Sequence, residues 1–383
     1  MAVDNVLVVG AGIGGLTLAA ALGQRGIAAD VVEIKPRQEV QGVGILQPGN
    51  ALRALSSIGV LDECFAAGFQ TDEYRYFDAD GGLIAKLRLL RIADPARPAI
   101  NMLPRPALHR ILNDAAERAG ARLRMGVTVR ELEPSDERVE VGFTDGTHGR
   151  YNLVVGADGI RSSIRRMIFG DVEPQFTGHG VWRYTTVRPA ELDYQAMYLG
   201  VGAKAGLVPL TADTMYLLLV TNEPHNPRMA ADRLHVLLAE RLAQFGHLIA
   251  PVRESITAAQ SVVYTAIEEI ILSPPWHKGR VVVIGDAAHA SSPHIAQGAA
   301  MAVEDAVVLA EIVSGDAPVP DMLDQFVRRR YARCKLVQDT SRQVGIDGNL
   351  DDPEQCRLRN ERYRRSFADP QPRPHELRLA EPI

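Results

Sequence analysis

Cysteine is scarce in this sequence. Cys64, Cys334 and Cys356 are the three among 383 residues, far apart and without metal-ligand spacing. They read as reduced thiols, which excludes a disulfide framework or a zinc module. Positive charge is not in excess: 42 Lys and Arg face 47 Asp and Glu, so no basic field is present to hold nucleic acid. Long apolar runs are missing, and none approaches the ~18–20 residues that span a bilayer. The chain opens directly into a strand-like run, without a charged leader or cleavage site. The expectation is a cytoplasmic protein, monomer or homodimer, with no membrane or nucleic-acid partner. No Ser/His/Asp signature, P-loop, clustered metal ligands or internal repeat is visible, and no metal is expected.

What is present has the texture of an α/β fold. Residues 3–9, VDNVLVV, read as a buried strand, the helical LTLAAALGQRG closes at Gly26, and AADVVE reads as a second strand ending at Glu33. This order suits a parallel sheet. Two short helices follow, in PGNALRALSSIG and VLDECFAAG. Residues 73–90 read as a hairpin around Asp80-Gly81-Gly82, and 105–120 as a helix. Strands are expected at 121–133 and 138–143, and a second strand-rich block at 177–222. Helical texture covers 228–255, with Pro251 interrupting its end, and two long helices are expected at 298–313 and 320–345. The tail from Ser366 is Pro-rich and reads as loosely ordered. The expected division is a discontinuous nucleotide-binding domain (1–72, 100–175, 275–365), a substrate domain (73–99, 176–274) and the tail (366–383).

Three motifs carry chemistry. Gly10-x-Gly12-x-x-Gly15 stands between a strand and a helix, with Glu33 about 20 residues on. Those glycines serve a tight turn, backbone approach to a pyrophosphate and helix–sheet packing, while the helix N-terminus supplies positive potential. A carboxylate at Glu33 suits an unphosphorylated ribose, hence NAD or FAD. The second motif is Asp158-Gly159-Ile160-Arg161-Ser162-Ser163-Ile164-Arg165, where Ser162 reads as a helix cap. The third is Gly285-Asp286 at a strand end; its carboxylate suits either a sugar hydroxyl or a helix cap.

Together, in this order, the motifs resemble the FAD-dependent aromatic hydroxylases, the single-component flavoprotein monooxygenases that include salicylate, 6-hydroxynicotinate and urate hydroxylases. The run SSPHIAQGAAMAVEDA, 291–306, resembles the salicylate and hydroxynicotinate branch. The resemblance implies a Rossmann-type FAD domain with an inserted antiparallel β-sheet substrate domain, as in 4-hydroxybenzoate hydroxylase. It implies O2 and NADH or NADPH as co-substrates, a C4a-hydroperoxyflavin, and hydroxylation of a small planar aromatic or N-heteroaromatic compound. The rivals are the same fold acting on a non-aromatic or antibiotic substrate, and a non-catalytic flavin-binding redox sensor. By resemblance, FAD lies against Gly10, Gly12, Ile13, Gly14 and Gly15, then Glu33, Ile34, Lys35 and Leu46. Arg105, Val129, Asp158, Gly285 and Asp286 continue the site. Pro293 covers the ring, and Gln297, Gly298, Ala299 and Ala300 lie along its edge, where bulky side chains would collide.

The substrate side is expected in the strand-rich block. Arg183 occupies a place where the family carries a functional polar residue. Lys204 and Tyr216 fall where the urate enzymes have an arginine and a tyrosine, and His294 replaces their acidic residue. These departures argue against urate. Arg183, Lys204 and His294 together suit a carboxylate or phenolate. His289 reads as structural, and His225, His235, His247 and His375 show no partner spacing.

Overall fold

A computed structural model describes residues 3–37, 43–368 and 372–383. Its first unit is β1 (Asn5–Val9), α1 (Ile13–Gly23) and β2 (Ala28–Glu33). There follow β3 (Gly44–Pro48), α2 (Gly49–Ser57), α3 (Leu61–Ala67), β4 (Phe69–Thr71), β5 (Glu73–Asp78), β6 (Leu83–Arg88), β7 (Ile100–Pro104) and α4 (Arg105–Arg118). The middle holds β8 (Arg122–Met125), β9 (Val129–Pro134), β10 (Val139–Phe143), β11 (His148–Tyr151), β12 (Leu153–Gly156) and α5 (Ser163–Phe169). Then come β13 (Gln175–Val187), β14 (Gln195–Leu199), β15 (Ala203–Pro209), β16 (Thr214–Asn222), α6 (Leu234–Arg241), α7 (Ile249–Glu254) and β17 (Val262–Glu269). The chain closes with β18 (His277–Lys278), β19 (Val281–Val283), α8 (Asp286–His289), α9 (Gly298–Val313), α10 (Val319–Gly348), α11 (Pro353–Ser366) and α12 (Pro374–Ala380).

Valine-rich runs with no polar face become central strands, because both their faces must be covered. Such runs build a six-stranded sheet in the order β18-β19-β12-β1-β2-β8, parallel except at β18. Helix α1 is apolar all round and is buried between α4 and α9. Its small residues let these helices approach closely. The parallel sheet therefore draws strands from both ends of the chain.

The second large sheet has seven strands, β17-β13-β16-β15-β14-β5-β6, antiparallel except between β14 and β5. Alternation along its strands separates two faces. Trp182, Tyr184, Tyr198, Leu207, Leu217 and Leu219 point to one side and pack with Leu238, Leu242 and Ile249 of α6 and α7. The other side carries Tyr76, Arg183, Met197, Lys204, Tyr216 and Leu218, and it faces a cavity. A small sheet, β3-β7-β4, stands beside it.

Two readings of the sequence need correction. The helical texture of 228–255 resolves into two short helices, α6 and α7, and His247 between them has φ +49°. Pro251 sits in the first turn of α7 and not at its end, a place where the missing N–H costs nothing. The tail is not loose over 372–383. Pro374 starts α12, and the Arg373 backbone N–H donates to Glu376 Oε2 at 2.8 Å. Leu379 is buried, and Arg53 and Arg333 donate to carbonyls of residues 378–381. Proline content signalled a helix start there, not disorder. Residues 369–371 of that tail lie outside the described residues.

Candidate active site

The three glycines of the first motif serve three physical needs. Gly10 has φ +107°, and an added Cβ would sit 2.5 Å from the Ala157 carbonyl oxygen. A Cβ on Gly15 would come within 2.0 Å of the Gly10 carbonyl oxygen. A Cβ on Gly12 meets nothing within 4 Å, so this glycine borders open space. Helix α1 starts at that space with no side-chain cap and no acidic residue in its first turn. Its free N–H groups and dipole make the spot receptive to phosphate. Gly14 approaches Ala302, and Ile13 packs on the core. His109, which the sequence did not single out, braces the loop with a ring nitrogen 2.8 Å from the Ala11 carbonyl oxygen.

Glu33 ends β2 and accepts from the Ala11 and Lys35 N–H groups, both at 3.0 Å. Ile34 beside it is 68% exposed. Val129 is buried at the start of β9. The Asp158 oxygens accept from the Ser163 and Ile164 N–H groups at 2.7 and 3.1 Å, so this carboxylate caps α5, jointly with Ser162. Buried Arg165 donates to the Ile160, Val172 and Ala287 carbonyls and ties the second motif to the third.

Asp286 differs. Gly285 takes φ +58°, and the Asp286 side chain makes no hydrogen bond or ion pair with any described residue. It is reached by solvent, yet the walls around it crowd the carboxyl and raise it from its ordinary range. Arg105, exposed at the start of α4, opposes that rise. An unpaired carboxylate has acceptor capacity free for hydroxyl donors.

Helix α9 supplies the other wall. Its N-terminus has no side-chain cap, and a Cβ on Gly298 would meet only Ser291 Oγ at 3.8 Å. Gly298 and Ala299 remain accessible, Ala300 is buried, and Pro293 is exposed just ahead. Gln297 is held by paired amide bonds with Asn50, at 3.0 and 3.1 Å. Ala296 takes a left-handed φ of +55° between Pro293 and Gln297, a strained turn of the kind found where a chain must present particular groups.

Arg183, Lys204, Tyr216 and His294 all line one cavity with Leu46, Pro293 and Gln297. The empty space between these residues, open solvent at its mouth included, is about 1250 Å³. Most of its wall is apolar, including Ile92, Ile100, Met197 and Leu218. The Arg183 side chain has no hydrogen-bond or ion-pair partner among the described residues. Burial lowers its pKa, with Tyr216 opposing. Burial pushes the Tyr216 phenol up to about 12 and the Lys204 ammonium down to about 7. His294 is held well below the usual histidine range by burial, then by Lys204 and His179. Its Nδ1 is buried without a partner.

The sequence missed four contributors. Arg373, His375, Glu376 and Leu379 of the tail line the same cavity, so the C-terminus is one of its walls. Deleting residues 372–383 should therefore raise the substrate KM several-fold while the flavin content stays normal. Equal KM values for the truncated and full chains would count against that wall.

Beneath α9 lies a buried ionic network. Arg330 donates to Asp305 and Glu304 at 2.7 Å, Arg333 donates to Glu304, and His289 lies 2.6 Å from Asp305. His289 is thus structural in its contacts, as its sequence position suggested. The fold also brings His289, Asp305 and Cys334 within 4.8 Å, a grouping invisible in the sequence. Asp305 is already engaged there by the Gly285 N–H and by Arg330. Among the described residues no helix is long and apolar enough to cross a membrane.

Comparison with known proteins agrees with this architecture. An FAD binding domain family matches residues 4–341. A 2-heptyl-3-hydroxy-4(1H)-quinolone synthase of Pseudomonas aeruginosa is 33% identical over 93% of this chain and 92% of its own length. A 3-amino-4-hydroxybenzoate 2-monooxygenase of Streptomyces cremeus is 31% identical over 94% of this chain and 91% of its own. Among solved structures, Klebsiella pneumoniae HpxO complexed with FAD and uric acid shares the fold. Its TM-score is 0.86 at 24% identity, with 94% of this chain and 92% of that one covered. With the glycine loop, the open Asp286 and the bare start of α9 in place, the chain belongs to the FAD-binding-domain family of FAD-dependent monooxygenases.

Proposed function

We propose that the chain hydroxylates a planar aromatic or N-heteroaromatic compound that carries an ionisable group and an apolar substituent. The observation that carries this reading is the cavity: one largely apolar face of the seven-stranded sheet, with Arg183, Lys204, Gln195, Tyr74, Tyr76 and Tyr216 as its polar groups, set against the bare N-terminus of α9. FAD fits the residues present. Gly12 borders open space at a helix N-terminus, and Asp286 has no protein partner. In the proposed site the α1 N–H groups hold the pyrophosphate, and Glu33 and Asp286 accept from sugar hydroxyls. The N–H groups at the start of α9 meet the ring edge, where a helix dipole favours negative charge. When bound, FAD supplies the activation of oxygen. NADH or NADPH is the reductant, and one oxygen atom enters the substrate while the other leaves as water.

The protein's own part is to bind, orient and keep water out. Leu46, Ile100, Met197 and Leu218 wall the substrate, and Arg183 supplies a fixed charge toward the ring oxygen or nitrogen that becomes anionic. The quinolone- and hydroxybenzoate-type names of the relatives agree with a ring bearing oxygen or nitrogen. The same reading divides the chain into an FAD part (1–72, 100–175, 275–365) and a substrate part (73–99, 176–274), with 372–383 closing the cavity.

The test is direct. The purified protein should be yellow, with one releasable FAD per chain. Quinolones and hydroxy- or aminobenzoates should be screened for faster NAD(P)H oxidation, with labelled O2 traced into the product. Label absent from every product, or bound NAD without flavin, would overturn the reading. Arg183→Ala should raise KM about 30-fold or more at unchanged FAD content, because it removes one partner of a desolvated charged hydrogen bond. An unchanged KM would point to a substrate that is neutral at that edge.

A further inference from the structure

The basic groups on the cavity face have almost no acid to answer them. Lys204 is 3% exposed and lines the cavity. Its Nζ makes one hydrogen bond, to the Val344 carbonyl at 3.2 Å, and no ion pair with a described residue. His294 and His179 stand near it, their rings edge to face at 5.9 Å between centroids. Arg359 of α11 adds a second like charge, opposed by Asp347 of α10. Asp347 already pairs with Arg362 at 2.7 Å.

Helix α10 is shaped for this group. A Cβ on Gly348 would lie 2.6 Å from Lys204 Cδ, and one on Gly345 would lie 2.5 Å from the His294 ring. Gly345 lies inside the helix, where a glycine weakens it, while Gly348 is its last residue, where glycine is common. Here they leave the space that the Lys204 and His294 side chains occupy against the helix.

We propose that Lys204 is the base that takes the proton from the substrate's ring hydroxyl or ring N–H. The substrate then enters as a neutral, weakly acidic hydroxy- or N–H-aromatic, not as a preformed anion. This inference rests on the hydroxylase reading above and replaces the anion-receiving role that the sequence suggested for this lysine. In the step, the substrate O–H or N–H bond breaks and an N–H bond forms at Lys204 Nζ. The electron pair stays on the ring, which becomes the richer nucleophile, and no oxidation or reduction is involved. The charges then match, because the new ammonium faces the new anion. A lysine near 7 is unprotonated over much of the neutral range, as this role requires. Burial, then Arg359, keeps the amine neutral, while the His179 and His294 rings stack edge to face beside it.

Two experiments test this on the holoenzyme. In the first, trace acylation with acetic anhydride across pH 5–11 is read at the Lys204 peptide by mass spectrometry, with the surface lysines as internal reference. Half-maximal reactivity near pH 7 supports the proposal. Titration alongside the surface lysines overturns it, and so does an amine that is never labelled, since the substrate could not reach it. This readout does not need turnover, so it survives failure of the hydroxylase reading, which would show as no ring compound stimulating NAD(P)H oxidation. In the second, kcat/KM of the wild type should fall about tenfold per pH unit below 7. Lys204→Arg carries a permanent charge and cannot accept a proton, so it should lose about 100-fold or more at pH 8 with normal FAD content. Full activity in Lys204→Arg would show that charge alone is used, and would overturn the assignment.

Discussion

Gly12→Val should give a folded protein without flavin, whereas Gly15→Ala should fail to build the same core. The two glycines lie in one loop, yet their surroundings differ. Nothing stands within 4 Å of a Cβ on Gly12, so valine adds no clash to the apoprotein. Its methyl groups project into the open space before α1, where a pyrophosphate must touch backbone. A Cβ on Gly15 lies 2.0 Å from the Gly10 carbonyl oxygen, and backbone cannot move aside as a side chain can. The expected cost at Gly15 is about 3 kcal/mol or more, the upper end of overpacking. Flavin absorbance after gel filtration, with circular dichroism and thermal melting, separates the two outcomes. Stoichiometric FAD on Gly12→Val would remove the pyrophosphate from this loop.

The second large effect is expected at Arg330. This guanidinium is 1% exposed and bridges Glu304 and Asp305, which are buried beneath the start of α9. Arg330→Met keeps the volume but leaves two desolvated carboxylates short of a partner. Breaking a buried pair in this way costs about 3–5 kcal/mol. Arg357→Ala, at an exposed pair with Glu354, should leave the urea midpoint where it is. The acid limb should respond as well. Burial alone would push the Asp305 carboxyl up; His289 and Arg330 hold it down to about 2. Its folded pKa lies below the unfolded one, so its contribution is complete above about pH 4 and is lost as pH falls through about 2. Without Arg330 the carboxyl rises, and acid unfolding should begin at a higher pH. His289 has the opposite sign. Burial opposes its charge, but Cys334 and Asp305 raise it well above the usual range. Its contribution is complete below about pH 6.5 and is lost as pH climbs through the raised value. Equal urea midpoints for Arg330→Met and the wild type would show that the network is dispensable.

Much of this fold was legible along the chain. The β1–α1–β2 unit, with Glu33 at its end, follows from an apolar run, three spaced glycines and a small-residue helix, all within one continuous stretch. Helix α9 runs from Gly298 to Val313, as its pattern indicated. Such elements depend on backbone geometry and on hydrophobic period, both of which neighbouring residues decide. The placing of Arg183, Lys204, Tyr216 and His294 on one cavity was legible only through family likeness. The break between α6 and α7 was not legible, since no proline or glycine marks its start after Arg241.

Local sequence thus sets the backbone shapes: a dinucleotide loop, a parallel core and a helix start left bare. The character of the cavity side chains arises only when distant segments fold together. Lys204 is an ordinary lysine in the sequence, and its ammonium is destabilised by burial and by Arg359, which lies 155 residues away. The tail reads as polar and Pro-rich, and it becomes a cavity wall because Arg53 and Arg333 hold its carbonyls. Desolvation and charge act through space over a few ångströms, whereas local patterns act along the chain; a pKa belongs to the first kind of neighbourhood and a helix to the second.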